Sequence, residues 1–270
     1  MTTIRLLLLA VFIVVPVLAE RTKLKPEFNI FTLAQDVELG LQVSKEMEAR
    51  AATVRNPKVN NYLDALGRRL VMKAPGGAQF RFQFKVVDDP SINAAGLPGG
   101  FVYVNRGTIE AVANEAELAG VIAHEIGHVV LRHGTHQISN AYVLQAPIST
   151  IGAVGSKSVT EILLKIGGGF AASSMVLKNP LETESQADLL GTQIIYDAGY
   201  DPRAAARFFE KIDKAQQFIG DHPNPANRMV NIAMEIERLG AVSPNAVVDS
   251  VECQVVRGLI SGSAKNGPNH

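Results

Sequence analysis

The chain has 270 residues, of which 47% are hydrophobic and 19% are charged, and this is enough for one sizeable folded core. Its 26 basic residues are balanced by 26 acidic ones, so the composition gives no sign of the basic surface that nucleic acid would require. The single cysteine, Cys253, excludes an intramolecular disulfide, so the core or a metal must hold the fold together.

The N-terminal residues 1–19 predict a secretory signal peptide. They contain one basic residue, Arg5, then an apolar stretch, and Ala19 as a point of cleavage. The stretch has about 14 apolar residues, whereas a membrane-spanning helix needs about 20, and an uncleaved anchor is the alternative. Export without disulfides fits a bacterial periplasm, so we expect a periplasmic or secreted protein.

The next segments predict two helices and two strands. FTLAQDVELGLQVSKEMEAR indicates a helix that Thr32 would cap, and PKVNNYLDALGRRLVMKA has apolar residues at helical spacing. FRFQFKVVDD alternates phenylalanine with polar residues, which is typical of a half-buried strand. FVYVNRG, which follows AAGLPGG, indicates a second short strand.

The segment VIAHEIGHVVLRHG carries the clearest chemistry in the chain. Asn114 is placed to begin a helix and Gly134 to end it, so HEIGH lies in the middle of a helix. On a helix, His124 and His128 lie one above the other and present two imidazoles to one point. Glu125 follows His124 and is rotated by one residue around the helix, where its carboxylate can reach a water bound to the metal. This is the pattern of a zinc hydrolase, although two satisfied core histidines are the alternative.

A catalytic zinc ion takes three protein ligands, and the residues alone leave the third one open. His133, nine residues after His124, would lie about 180° round a continuous helix, which favours a surface position. His136 is too close in sequence to fold back easily. The full set of candidates comprises His133, His136, Glu182, Glu184, Asp188 and His222.

The segment NPLETESQADLLGTQIIYDAGYDP predicts a second helix with acidic residues near its start. Pro180 can open this helix, and Glu184 and Asp188 share one face at i and i+4. One carboxylate could bind zinc while the other accepts the second ring N–H of a ligand histidine. The alternative is an acidic, solvated first turn.

Taken together, the motifs resemble a known family, the HExxH zinc metallopeptidases of the HtpX, BepA, Oma and CAAX prenyl protease type. The matching segments cover most of residues 30–240 and include NAAGLPGGFVYVNRG, NEAELAGVIAHEIGHVVLRHG, ESQADLLG, AGYDPRAAARFFEKI and DHPNPANRM. The resemblance implies an α+β, mostly helical, zincin-like fold with a small β-sheet beside the active-site helix.

Position by position, the resemblance also implies roles for the polar residues. His124, His128 and Glu184 would bind one zinc ion per chain. Glu125 would be the catalytic base, and Asp188 would support a ligand histidine.

The chain departs from the family pattern at two positions. Leu181 and Gln186 stand where relatives often have an arginine and a second glutamate, and neither position is a ligand. The chain also shows neither the multiple transmembrane helices of some relatives nor the helical repeats of others. We therefore expect a stand-alone metallopeptidase domain over residues 20–245 and a partly disordered tail over residues 246–270.

The segment LPGGFVYVN resembles the family's edge strand beside the site, where an extended substrate pairs through its backbone. This implies a substrate-binding role for Gly99, Gly100, Phe101, Val102 and Tyr103, with an ordinary core strand as the alternative. Pairing through backbone hydrogen bonds depends little on the side chains of the substrate, which suits a protease that acts on unfolded or damaged exported proteins.

Two other segments leave their roles open. In DHPNPANRM, His222 precedes a proline and is held extended. It could lie on the surface, occupy the fourth metal position, or act as a catalytic donor to the oxyanion. The apolar, glycine-rich residues 137–180 could form core, a lid or a membrane-facing surface, with core packing preferred.

These patterns predict a zinc metalloendopeptidase for unfolded or misfolded exported proteins, working in envelope protein quality control. The alternative is a zinc-dependent, chaperone-like binding protein with little or latent proteolysis. Nucleic acid is not expected as a partner, and peripheral contact with a membrane is left open.

Overall fold

The computed structural model describes residues 20–145, 158–165, 180–214, 222–223 and 227–265, so the predicted signal lies outside it. Its helices and strands are, in order, α1 Leu33–Arg50, α2 Pro57–Val71, β1 Gln83–Val87, β2 Ala94–Leu97, β3 Phe101–Asn105, α3 Arg106–Ala111, α4 Glu115–Val130, α5 His133–Gln145, α6 Val159–Lys165, α7 Leu181–Asp197, α8 Arg203–Lys214, α9 Arg228–Leu239 and α10 Val251–Lys265. The expected α+β, mostly helical fold with a small sheet is confirmed.

The sheet has three strands in the order β1-β3-β2. Strand β1 runs parallel to β3, and β2 runs antiparallel to it. The prediction that β3 is an edge strand is wrong, because β3 pairs on both sides and lies at the centre. Gly99 and Gly100 form the turn between β2 and β3 with φ angles of 79° and 105°, a backbone region that glycine adopts without strain.

Strand β2 lies at an edge of the sheet, and one of its faces packs against the active-site helix. A Cβ atom on Gly96 would lie 2.5 Å from the backbone oxygen of Glu125, so only glycine allows this approach. The sequence pattern predicts only the strand that follows this segment. Ala94–Leu97 is too short and too low in β-branched residues to be recognised as a strand.

Helix α4 is the centre of the main hydrophobic core. All 16 of its residues are buried, between the sheet and helices α2, α7 and α8. Asn114 caps it as predicted, since the Asn114 side chain accepts a hydrogen bond from the Glu117 N–H at 3.0 Å. Such a cap is worth about 1 kcal/mol.

The predicted end of α4 at Gly134 is wrong. The helix ends at Val130, because Arg132 takes a left-handed backbone conformation with φ 60° and α5 begins at His133. Arg132 is held there by its guanidinium, which donates to both carboxylate oxygens of Asp36 at 2.6 and 3.0 Å. It also donates to the carbonyl of Phe31 at 2.6 Å.

A second apolar cluster lies between α1, α5, α6 and the sheet. The part of residues 137–180 that the structure describes belongs to it, with Ile138, Tyr142, Val159 and Ile162 buried. For these residues, core packing is confirmed. Residues 146–157 and 166–179 lie outside the described residues. Among the described residues, no helix combines the length and apolar character needed to cross a bilayer.

The two ends of the described chain are both folded. The predicted disorder of residues 246–270 is wrong for residues 251–265, which form α10 with Cys253, Val256 and Ile260 buried, in contact with α2 and α3. At the other end, residues 20–31 form an extended segment that we call the N-terminal strap. Its hydrogen-bond partners on the helices and the α4–α5 turn are Arg132, Thr135, His136, Ser139, Gln186, Gln193, Asp197, Glu235 and Arg238.

Candidate metal centre

The two histidines of α4 point to one place, as their spacing predicts. The Nε2 atoms of His124 and His128 are 3.0 Å apart, and both side chains are buried. Two ring nitrogens at this distance are satisfied only by a proton or a cation between them. The structure therefore supports the prediction of a metal clamp over that of two independent core histidines.

Helix α7 supplies the two carboxylates and passes close to α4. Glu184 Oε2 lies 3.3 Å from His124 Nε2, and its Oε1 lies 3.2 Å from His128 Nε2. Asp188 Oδ1 lies 3.0 Å from the other ring nitrogen of His124, Nδ1. Glu184 thus faces the point where the imidazoles converge, whereas Asp188 holds the outer side of a ligand. Glu182, another candidate, is exposed.

Two glycines allow the helices to approach so closely. A Cβ atom on Gly127 would lie 3.3 Å from the backbone of Ala187, and one on Gly191 would lie 3.1 Å from the backbone nitrogen of His124. Gly127 and Gly191 therefore allow the backbones of α4 and α7 to pack closely beside the cluster.

His222 completes the cluster and is not a surface residue, being only 4% exposed. Its Nδ1 lies 2.9 Å from Glu184 Oε1, and its Nε2 lies 3.3 Å from the Ala94 carbonyl oxygen and 3.6 Å from Glu125 Oε1. Potential ligand atoms of His124, His128, Glu184 and His222 all lie within 4.8 Å of one another.

Glu125 has the environment of a reactive carboxylate. It is 2% exposed, and its Oε2 has no hydrogen-bond partner among the described residues. A buried carboxylate oxygen without a partner is costly, which favours a functional reason for its place. Here the orphan oxygen belongs to the residue that the sequence marks as the base.

The buried imidazoles and carboxylates of the cluster shift one another's pKa. Burial disfavours a charge on His124, but Glu184 and Asp188 outweigh it and raise the pKa of His124 to about 10. Burial, aided by the other imidazoles, lowers the pKa of His128 to about 4 against the attraction of Glu184. Burial also opposes ionisation of Glu184, yet the imidazoles of His124, His222 and His128 hold its pKa well below the usual range. A cation bound between these groups would compete with the proton that His124 holds.

Arg228, in helix α9, was missed as a site residue. It is 3% exposed and donates to Asp188 Oδ2 at 2.7 Å and to Glu184 Oε2 at 3.1 Å. Its guanidinium carbon lies 4.4 Å from the ring centre of Phe209. One cation therefore pairs with both carboxylates, and on Glu184 it contacts the same oxygen, Oε2, as His124. Only its place in the PNPANRM segment, which the family resemblance included, gave a signal.

His133 was also misplaced by the sequence analysis. The expected surface position is wrong, because His133 is 1% exposed and contacts His128. Burial and the neighbouring His128 lower the pKa of His133 to about 3. The continuous helix that this prediction assumed is broken at Arg132.

The segment predicted to bind substrate does not line the site with its side chains. Phe101, Val102 and Tyr103 are buried in the two cores, and Tyr103 donates to Glu48 at 2.5 Å. A Cβ atom on Gly99 would lie 2.5 Å from Val37 of α1, so this turn packs against a helix. These five residues form strand β3 and the turn before it, and β2 is the strand that borders Glu125.

Two imidazoles and a carboxylate around one point are the ligand set of a catalytic zinc ion, and the glutamate after the first histidine is characteristic of HExxH metallopeptidases. The model of the family described as Peptidase family M48 matches residues 57–236. The chain belongs to this family, whose cofactor is zinc, and its buried His and Glu cluster fits that metal.

Three relatives illustrate the similarity. The "Beta-barrel assembly-enhancing protease" of Escherichia coli (strain K12) is 27% identical over 259 residues, which covers 89% of this chain and 51% of the relative. The protein of the same name from Yersinia pestis is 29% identical over 211 residues, covering 73% and 43%. The "Mitochondrial metalloendopeptidase OMA1" of Schizosaccharomyces pombe is 28% identical over 180 residues, covering 63% and 51%. The chain spans about half the length of these relatives.

Proposed function

We propose that this chain is a zinc-dependent endopeptidase that hydrolyses peptide bonds of unfolded or damaged exported proteins. The observation that carries the proposal is the convergence of His124, His128 and Glu184 next to the partnerless Oε2 of Glu125. Family membership and the names of the relatives support the reaction class.

In peptide hydrolysis, the side chains of the cluster would bind the metal, transfer the proton and orient a ligand. His124, His128 and Glu184 would hold zinc, which supplies Lewis-acid polarisation of the peptide carbonyl and lowers the pKa of water to about 7. Glu125 accepts the proton from the attacking water and passes it to the leaving amine. Asp188 keeps the proton of His124 on Nδ1, so that Nε2 presents its lone pair to the metal.

The free side of β2 is the surface that we assign to the substrate backbone. Among the described residues β2 pairs only with β3, and its Ala94 carbonyl oxygen lies 3.3 Å from Nε2 of His222 in the cluster. An extended peptide added there would place a carbonyl close to the metal position. Such binding requires an extended chain and few side-chain contacts, which favours unfolded proteins.

We place the enzyme in the bacterial envelope, in the periplasm or secreted. The support is the predicted signal in residues 1–19, the composition without disulfides, and the relatives named for β-barrel assembly. Protein quality control follows from the substrate class proposed above.

The position of His222 favours a latent resting enzyme as a second possibility. Its imidazole has a ligand atom within 4.8 Å of those of His124, His128 and Glu184, so it could serve as a fourth ligand in place of water. In that state the chain would bind unfolded proteins and cleave them rarely. If it moves off, it is within reach of the oxyanion.

The test combines metal analysis with proteolysis of an unfolded protein. The purified chain and its His222→Ala variant should cut casein, lose this activity with a chelator and regain it with zinc. Glu125→Gln should keep about one zinc per chain and lose hydrolysis, because an amide cannot act as the base.

Glu182→Gln is the matched control, since Glu182 is an exposed carboxylate of the ligand helix. Full activity in Glu125→Gln, or no zinc-dependent cleavage by either the wild type or His222→Ala, would refute the proposal.

A further inference from the structure

His133 contacts a proposed metal ligand, yet the mechanism above does not use it. Its Nδ1 lies 2.8 Å from Nδ1 of His128, and its Nε2 lies 3.1 Å from Oε1 of Gln186. The two imidazole rings meet edge to face, with an angle of 77° between their planes. A buried histidine with both nitrogens engaged in this way has a defined orientation.

The direction of these hydrogen bonds follows from the metal site. His128 presents Nε2 to Glu184 and to the metal position, so its proton must be on Nδ1. That N–H can donate only to Nδ1 of His133, which therefore carries its own proton on Nε2 and donates to Gln186. The side-chain N–H of Gln186 in turn donates to Glu27 of the N-terminal strap at 2.6 Å. Each of these three N–H groups, on His128, His133 and Gln186, therefore has an acceptor.

We propose that His133 is the positioning residue of His128, with the role that Asp188 has for His124. The inference rests on the proposed metal site. His133 accepts the outer N–H of His128, fixes the ring orientation and keeps the lone pair of Nε2 directed at the metal. Because its partner is a neutral imidazole, His128 receives orientation without the added negative charge that Asp188 gives to His124.

The backbone at Arg132 puts His133 in this place. On a continuous helix, a residue five positions after His128 would lie about 140° away round the axis. Arg132 is the one residue other than glycine with a positive φ among the described residues, and it turns the chain back towards α4. Such a conformation costs about 1–3 kcal/mol. The bidentate ion pair with buried Asp36 opposes this cost.

The experiment measures metal binding, which does not depend on turnover. His133→Leu should weaken zinc affinity by about 10- to 100-fold in a chelator competition, the size of effect expected on losing a group that supports a ligand. The visible spectrum of the cobalt(II)-substituted protein should shift, because the ring of His128 is no longer fixed. His133→Asn should restore most of the affinity and the spectrum, since its amide oxygen can accept the same N–H.

His136→Leu is the control, because His136 lies on the same helix and contacts Glu27 but no proposed ligand. It should leave zinc affinity and the cobalt spectrum unchanged. Gln186→Leu, at a partly exposed position, should give a smaller loss than His133→Leu, and it keeps the test valid if His133→Leu does not fold.

Wild-type affinity and spectrum in a folded His133→Leu would overturn the inference, and so would equal losses in His133→Leu and His133→Asn. If the wild type itself binds no zinc, the proposed function fails as well, and this result is distinct from the others.

Discussion

Arg228→Met should strongly destabilise the metal-free protein. The guanidinium of Arg228 is the cation shared by Glu184 and Asp188, and all three side chains are at most 3% exposed. Methionine can still cover the ring of Phe209, but the two buried carboxylates lose the guanidinium and keep only the neighbouring imidazoles as counter-charge. Removing one partner of a buried pair costs about 3–5 kcal/mol, out of about 5–15 kcal/mol for a typical domain.

This loss can be measured by thermal unfolding in the presence of a chelator. A change of 1 kcal/mol corresponds to about 2–4 °C for a domain of this size, so the midpoint should fall by about 6–20 °C. Zinc affinity should fall too, because Asp188 loses the contact that orients it towards His124. Arg228→Lys should lie between the wild type and Arg228→Met, since lysine keeps the charge but not the two-pronged geometry.

A double variant separates a specific pairing from a general packing defect. Asp188→Asn in the Arg228→Met background removes one of the stranded charges, so the double variant should be more stable than the sum of the single losses predicts. Additive losses, or a midpoint in Arg228→Met within about 2 °C of the wild type, would refute the role of Arg228 as shared counter-charge.

Three further predictions concern single residues. Glu184→Ala should remove zinc or weaken its binding severely, whereas Glu182→Ala should still bind zinc in the same metal analysis. The reverse result would show that Glu182, and not Glu184, is the third ligand. His222→Ala should raise basal casein cleavage if His222 blocks the metal, or lower kcat by about 100-fold or more if it stabilises the oxyanion; unchanged cleavage with unchanged zinc affinity would exclude both roles. Burial raises the pKa of the Cys253 thiol to about 11, above its value of 9.0 in the unfolded chain. The thiol therefore contributes fully to the free energy of unfolding below pH 9, and this contribution is lost as the pH rises to 11. The free energy of unfolding measured in urea should therefore fall by up to about 3 kcal/mol more in the wild type than in Cys253→Ala over this range, and equal slopes would contradict the assignment.

The proposed metal ligands were predictable because their positions depend on local geometry. His124 and His128 need only a helix to share a face, and the cap at Asn114 and the apolar residues around them mark that helix. The same holds for Glu184 and Asp188 in α7. Choosing Glu184 over the other candidates required the family resemblance, because the ligand helices meet only in the folded chain.

The residues around the ligands were less predictable because long-range contacts place them. His133 reaches His128 only because Asp36, 96 residues earlier in the chain, holds Arg132 in a left-handed turn. Strand β2 has four residues and little β-branched character, so its identity comes from pairing with β3. The C-terminal residues form α10 because they can bury Cys253, Val256 and Ile260 against a helix formed much earlier in the chain.

The N-terminal strap sets an order in which the domain can be completed. The strap is synthesised first, yet Thr22 bonds to Glu235 and Arg238, 213 and 216 residues later in the chain. Contacts at such separations close slowly, since a long loop must be ordered before they form. By comparison, the metal ligands and Asp188 are joined across 4 to 64 residues. In a chain that emerges from its N-terminus, the proposed metal ligands can therefore assemble before the strap forms its contacts with Glu235 and Arg238.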